Sequence, residues 1–182
     1  MNETQNKHTN FLALTILGNN TPGLLPEITR AIKECGCSIS ENRTNVFGKE
    51  ISITMLLNGN WDAIAKIEGG IDRIKSRYDI DIISKRTGVS TVDKDMMPYA
   101  IDIVTYDHIG IVNDIVEFIV RNDLEIQEIQ TNTYNASYTG TRMFSMHMII
   151  NVPIDFPIAT MRGDFMDFCD RLNLDAIMEP VK

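Results

Sequence analysis

The amino-acid sequence repeats itself. Gly23-Leu24-Leu25 opens an apolar helical pattern, and Gly110-Ile111-Val112 opens another 87 residues later (110 − 23 = 87). At the same offset Ile28 meets Ile115, Ile32 meets Ile119 and Ile39 meets Ile126. Further on the register slips by six residues, so that Ser52 aligns with Ser145, and the extra residues fall within 134–142 of the second copy. One unit duplicated within 182 residues predicts two small domains of the same fold. Each copy alone buries little surface, so each is expected to pack on another copy, in this chain or in a second one.

The two copies share one order of elements. In the first, residues 11–17 are an apolar run of strand length. Thr21 is expected to cap the helix that follows, with Pro22 at its first position. Leu24, Leu25, Ile28, Ala31, Ile32 and Cys35 share one face of that helix, and Gly36 ends it. A strand over 38–47, a turn at Gly48-Lys49 and a strand with Ile51, Ile53, Met55 and Leu57 on one face come next. After the turn Asn58-Gly59-Asn60, a helix should carry Trp61, Ile64, Ile67, Ile71 and Ile74 inward, and 80–84 closes the unit as a strand. The second copy reads as strand 99–105, helix 111–122 and strand 124–134. A strand with Phe144, Met146, Met148 and Ile150 on one face follows. A helix striped by Ile158, Met161, Phe165, Phe168 and Leu172 and a strand over 174–178 complete it.

The order βαββαβ, met twice, gives the fold class: α+β, two tandem ferredoxin-like modules. Each should be an antiparallel four-stranded sheet with both helices on one face. The domains are placed at 9–87 and 97–182, with a polar linker over 87–98 that ends at Pro98. The sheet face away from the helices is expected to be covered by another module.

Composition removes several classes of function. With net charge −8 and a pI near 4.8 the surface repels phosphate backbones, so direct nucleic-acid binding is not expected. The nearest basic group, Lys75, Arg77, Lys85 and Arg86, is interrupted by Asp79 and Asp81 and reads as solvated charge. The apolar runs are too short to cross a bilayer, and residues 1–10 lack the apolar core of a secretory signal, which points to the cytoplasm. Cys35, Cys37 and Cys169 have neither zinc-ligand nor redox-pair spacing and read as reduced, mostly buried thiols.

No catalytic constellation stands out. His8 lies in the polar tail, His108 in a loop, and His147 on the strand face opposite Phe144 and Met146, where a module interface is expected. Asp164, Asp167 and Asp170 fall at helical spacing beside Arg162 and Arg171, the pattern of a solvated face rather than a metal site. Met143, Met146, Met148, Met161, Met166 and Met178 concentrate in the second copy and read as core filling. No enzyme activity, cofactor or metal is expected.

The loop joining first strand to first helix is the one place where a ligand could sit. It runs Gly18, Asn19, Asn20, Thr21, Pro22, Gly23 and Leu24 in copy one. In copy two it runs Tyr106, Asp107, His108, Ile109, Gly110 and Ile111. Glycine lets backbone approach a ligand closely, and the helix N-terminus behind it offers N–H groups to a carboxylate. Asn19, Asn20 and Asp107 suit an ammonium, and an α-amino acid carries both charges. On the residues alone a plain helix cap explains the loop equally well, and His108 fits either a cap or a ligand contact.

Pro22-Gly23 and Ile109-Gly110, set in a doubled βαββαβ, resemble the loops of ACT domains, small modules that bind amino acids between copies. Two stretches sharpen the likeness. One is Cys35-Gly36-Cys37-Ser38-Ile39 with Gly48-Lys49-Glu50 and Met55-Leu56-Leu57-Asn58-Gly59-Asn60-Trp61. The other is Thr139-Gly140-Thr141 and Met143-Phe144-Ser145-Met146, followed by Phe168-Cys169-Asp170 and Leu172-Asn173-Leu174-Asp175-Ala176. Together they are similar to the two-ACT repressors of glycine cleavage genes, over about 11–181. The resemblance implies a non-enzymatic, amino-acid-responsive regulator and a homodimer. It also implies a protein partner, a DNA-binding activator, and glycine or a similar amino acid as ligand, seated where a loop faces a neighbouring module. Asn20 stands where the family commonly has aspartate, and Ile109 where it has proline, while Asp107 keeps the acid; copy two is therefore expected to bind better. A regulatory subunit or adaptor that controls a metabolic enzyme, with or without a ligand, is the alternative.

Overall fold

The computed structural model describes residues 9–88 and 95–181. His8 and most of the expected linker lie outside them. The first unit runs β1 (Asn10–Asn19), α1 (Leu24–Glu34), β2 (Ser38–Phe47), β3 (Glu50–Gly59), α2 (Trp61–Tyr78) and β4 (Ile80–Thr87). The second runs β5 (Met96–Tyr106), α3 (Ile111–Arg121), β6 (Glu125–Asn135), β7 (Arg142–Pro153), α4 (Ile158–Leu172) and β8 (Asp175–Pro180). The sheets are ordered β2-β3-β1-β4 and β6-β7-β5-β8, with every neighbouring pair antiparallel. Both are ferredoxin-like.

The duplication is visible in the hydrogen-bonded register. Asn19 faces Glu50 across β1–β3, and Tyr106 faces Met143 across β5–β7, which keeps the sequence offsets of 87 and 93 (143 − 50 = 93). A bulge between Ile39 and Glu41 recurs between Ile126 and Glu128. The six extra residues lie in one hairpin. Gly48-Lys49 joins β2 to β3 directly, whereas the β6–β7 ladder gains the pair Asn135–Arg142 and closes through residues 136–141. Toward the end of each unit the offset becomes 94, with the left-handed helix caps Asp79 and Asn173 in equivalent places (173 − 79 = 94).

Each unit has its own core. Leu12, Leu14 and Ile16 of β1 and Ile51, Ile53, Met55 and Leu57 of β3 point to one side of the first sheet. There they meet Leu24, Ile28 and Ile32 of α1 and Ala63, Ile64 and Ile67 of α2. Period-two alternation on the strands and a 3.6-residue stripe on the helices produce this directly. The second unit repeats the plan with Ile101, Ile103, Phe144, Met146, Met148, Ile150, Ile111, Ile115, Ile119, Met161 and Phe165.

Three sequence expectations need correction. Trp61 does not face the core: it begins α2, is 64% exposed, and lies 5.7 Å beneath the Arg86 guanidinium. The first position of a helix overhangs its end, and here it meets the polar end of β4. The second module's first strand starts at Met96, so Pro98 is strand rather than linker. Its carbonyl accepts the Val181 N–H at the margin of the sheet, where a missing proline N–H costs little. Met166 departs from the core-filling pattern and is exposed on α4, while Met146, Met148, Met161 and Met178 are buried.

Candidate functional site

The two strand–helix loops are built alike, and not by the expected cap. Thr21 makes no side-chain capping bond to α1, and Pro22 stands ahead of the helix rather than in it. Thr21 to Leu24 instead form a turn closed by the Leu24 N–H donating to the Thr21 carbonyl at 3.2 Å. Pro22 takes the second place of that turn and Gly23 the third, at φ 91°, ψ −11°. Those are the requirements of a type II turn, which puts the left-handed residue at its third position. Gly110 repeats the conformation at φ 97°, ψ −15°, again without a side-chain cap, and His108 Nδ1 lies 3.3 Å from the Ile109 carbonyl instead. Helical bonding starts from the glycine carbonyls, to which Glu27 and Asp114 donate.

The loops are anchored at both ends. The Asn20 N–H donates to the Lys49 carbonyl at 3.0 Å, and the Asp107 N–H to the Arg142 carbonyl at 3.1 Å, tying each loop to its neighbouring hairpin. Leu24 and Ile111 are buried, so their side chains belong to the cores and only their backbone faces the loop. Asn19, Asn20, Thr21, Pro22, Gly23, His108, Ile109 and Gly110 are exposed, Ile109 completely.

Gly18 has a different task from the one glycine suggests there. A Cβ on it would lie 2.5 Å from Ile80 Cγ2, so its bareness admits β4 rather than a ligand. Its counterpart Thr105 is buried, and its hydroxyl donates to the Asn173 carbonyl at 3.1 Å.

The loops differ in charge and in donors. Asp107 is half-buried and paired to Arg142, whose Nε lies 2.6 Å from its Oδ2, so an ammonium would compete with that guanidinium. Asn20 carries no such pair among the described residues. Arg142 escaped sequence reasoning although it was within reach, because at offset 93 it aligns with Lys49, giving each hairpin a basic residue beside its loop. Behind the loops, α1 begins Leu24-Leu25-Pro26 and loses a donor at the proline. In contrast, α3 begins Ile111-Val112-Asn113 and keeps every N–H of its first turn. A carboxylate placed there would meet the positive end of the helix dipole.

Two ferredoxin-like units in tandem, each with a glycine-led turn in front of its first helix, resemble tandem ACT-domain proteins in architecture. Residues 10–84 match the family model of the ACT domain. The particular protein it resembles is the glycine cleavage system transcriptional repressor. The chain is 26% identical to that of Escherichia coli (strain K12) over 167 residues, 90% of this chain and 86% of the relative. The repressor of Shigella flexneri matches to the same extent. A crystal structure assigned to the same repressor superposes with a TM-score of 0.71 at 20% identity, over 96% of this chain and 98% of the other. An unknown protein from Galdieria sulphuraria superposes with a TM-score of 0.76 at 17% identity, over 96% and 99%. These two likenesses extend the tandem fold across both units. Among the described residues, no helix is long and apolar enough to cross a membrane.

Proposed function

We propose that this protein is a non-enzymatic regulator of the glycine cleavage repressor type, which senses a small amino acid and acts through a protein partner. The observation that carries the reading is the strand–helix loop, made twice from different residues with the same left-handed glycine and the same tie to the next hairpin. The likeness to a named repressor over 90% of the chain supports it. The ligand's carboxylate meets the N-termini of α1 and α3. Its ammonium meets Asn20 with Asn19 in the first loop and Asp107 in the second, the latter exchanging its pair with Arg142. Gly23 and Gly110 leave room for close approach. The partner is a DNA-binding activator, consistent with a surface too acidic to favour nucleic acid. We place the protein in the cytoplasm as a homodimer, joined through the outward sheet faces on which Leu17, Ile83, Val104 and Ile177 are exposed.

Thermal unfolding against the free amino acids, with glycine and serine titrated, tests this. A ligand of the folded state raises the midpoint with its concentration. The rise should be selective and should shrink in Asn20→Leu and Asp107→Leu, which keep the turn glycines. No rise at millimolar concentration, with the assembly intact, would overturn the sensing role and leave an adaptor that controls an enzyme by contact alone.

A further inference from the structure

The space between the two helices is treated differently in the two modules. In the second its floor is closed by three rings, Phe118 of α3 lying 5.5 Å from Phe165 and 4.7 Å from Phe168 of α4, and what remains above them is an open groove of about 440 Å³ rimmed by the charged Asp114, Glu117, Arg121 and Arg171. At offset 87 Phe118 corresponds to Ala31, and at offset 94 Phe165 and Phe168 correspond to Ile71 and Ile74. All three smaller residues line an apolar cavity of about 80 Å³ between α1 and α2, floored by Leu14, Ile16 and Ile82 of the sheet. Gly70 lies at its wall, and a Cβ there would meet nothing within 4 Å. The cavity is the volume that two isoleucines and an alanine leave where three phenylalanines fit.

We propose that this cleft in the first module binds a short branched aliphatic group carrying a carboxylate. An apolar cavity of about 150 Å³ takes a benzene ring, so this one accommodates roughly an isopropyl or isobutyl group. Its mouth is polar: Lys66 and Arg73 of α2 and Glu34 of α1 line it with Cys35. Lys66 is paired with Asp62 at 2.6 Å, which leaves the Arg73 guanidinium without a partner among the described residues. Guanidinium binds carboxylate in a two-pronged, charge-assisted geometry. Glu34 adds a negative charge on the opposite helix, so the anion is held on the α2 side, and an α-ammonium, where the ligand has one, is accepted across the mouth. The site is separate from the strand–helix loops and stands or falls without them.

Isovalerate is the probe, titrated into the whole protein while the isoleucine methyl resonances are followed. Saturable shifts are expected at Ile28, Ile71 and Ile74 and not at Ile115 or Ile119 of the second module. Ala31→Phe, which borrows the sister module's own plug, should abolish them. Arg73→Gln, an exposed change that spares the packing, should weaken binding several-fold, as should isoamyl alcohol, which lacks the carboxylate. Leucine run in parallel distinguishes a simple acid from an α-amino acid, either of which fits the site if Ala31→Phe blocks it. Absence of saturation by both ligands at tens of millimolar, or shifts that persist in Ala31→Phe, overturns the proposal. If Ala31→Phe does not fold, an unchanged affinity in Arg73→Gln overturns it.

Discussion

The two modules share a backbone register almost residue for residue, yet they spend their side chains differently. Module one leaves an opening between its helices where module two stacks Phe118, Phe165 and Phe168. On the outward sheet face the contrast runs the other way. Thr15 faces Thr54 in the first sheet, while the equivalent Asp102 and His147 of the second form a hydrogen-bonded pair at 2.7 Å. Sheet pairing depends on backbone groups and on which face is apolar, and both survive a change of side chain within its class. Interior volume depends on each residue's size. Duplication therefore keeps the fold while the floor between the helices is closed by aromatic rings in one copy and left as an apolar cavity in the other.

The largest effect is expected where the aromatic rings close the floor. Phe165→Ala removes a fully buried ring and should cost about 3–5 kcal/mol, whereas Ile71→Ala at the equivalent, partly buried place should cost well under half of that. Urea unfolding followed separately in each module measures both, and equal losses would mean that the cleft of module one closes up.

The turn glycines should respond identically, because they differ in sequence context but not in conformation. Gly23→Ala and Gly110→Ala each force a side chain into left-handed backbone with no clash around it, a cost of about 1–2 kcal/mol that chemical denaturation reads. A difference between them would place unequal strain in the two loops.

Thiol chemistry sharpens the comparison further. Burial, aided by the nearby Asp170 carboxylate, pushes the Cys169 thiol in module two up to about 12. From the unfolded value of 9.0 up to that point the unfolded chain has lost this proton and the folded chain has kept it. Stability must then fall as pH rises through that window, by at most about 1.4 kcal/mol per pH unit. Cys169→Ala should flatten this slope in a pH series of unfolding curves. In module one Cys37 is also raised, by burial and by Cys35, while half-buried Cys35 should be the first thiol alkylated in the native protein.

The smallest effect concerns Gly69 and Gly163, which occupy equivalent exposed places in α2 and α4 with open space around them. Alanine at either should stabilise by about 0.5–1 kcal/mol, seen as a higher melting temperature.

Much of this was legible in the residues. Isoleucines at matching spacing announced the repeat, and alternation at Ile51, Ile53, Met55 and Leu57 placed a strand whose inner face is buried as expected. The turn before each helix was less legible. Thr-Pro-Gly reads equally as a cap on Thr21 or as a type II turn on Gly23, and both satisfy local chemistry; only the direction in which the chain leaves β1 selects the second. Trp61 was misplaced because helical periodicity says nothing about where the sheet ends. Asp107 looked free because its partner Arg142 is 35 residues on, across a hairpin whose extra length hides the alignment with Lys49.

The residues alone carry the fold, twice over, and the place of each strand–helix loop. Periodicity and backbone conformation are local properties, set by neighbours three, four or two residues away and by whether a residue tolerates positive φ. Which residues meet follows only from the packed chain: Phe118 with Phe165 and Phe168, Asp107 with Arg142, Ile80 against Gly18. Those contacts depend on how much volume remains when two helices settle on a sheet, and that volume is shared among residues far apart in the chain.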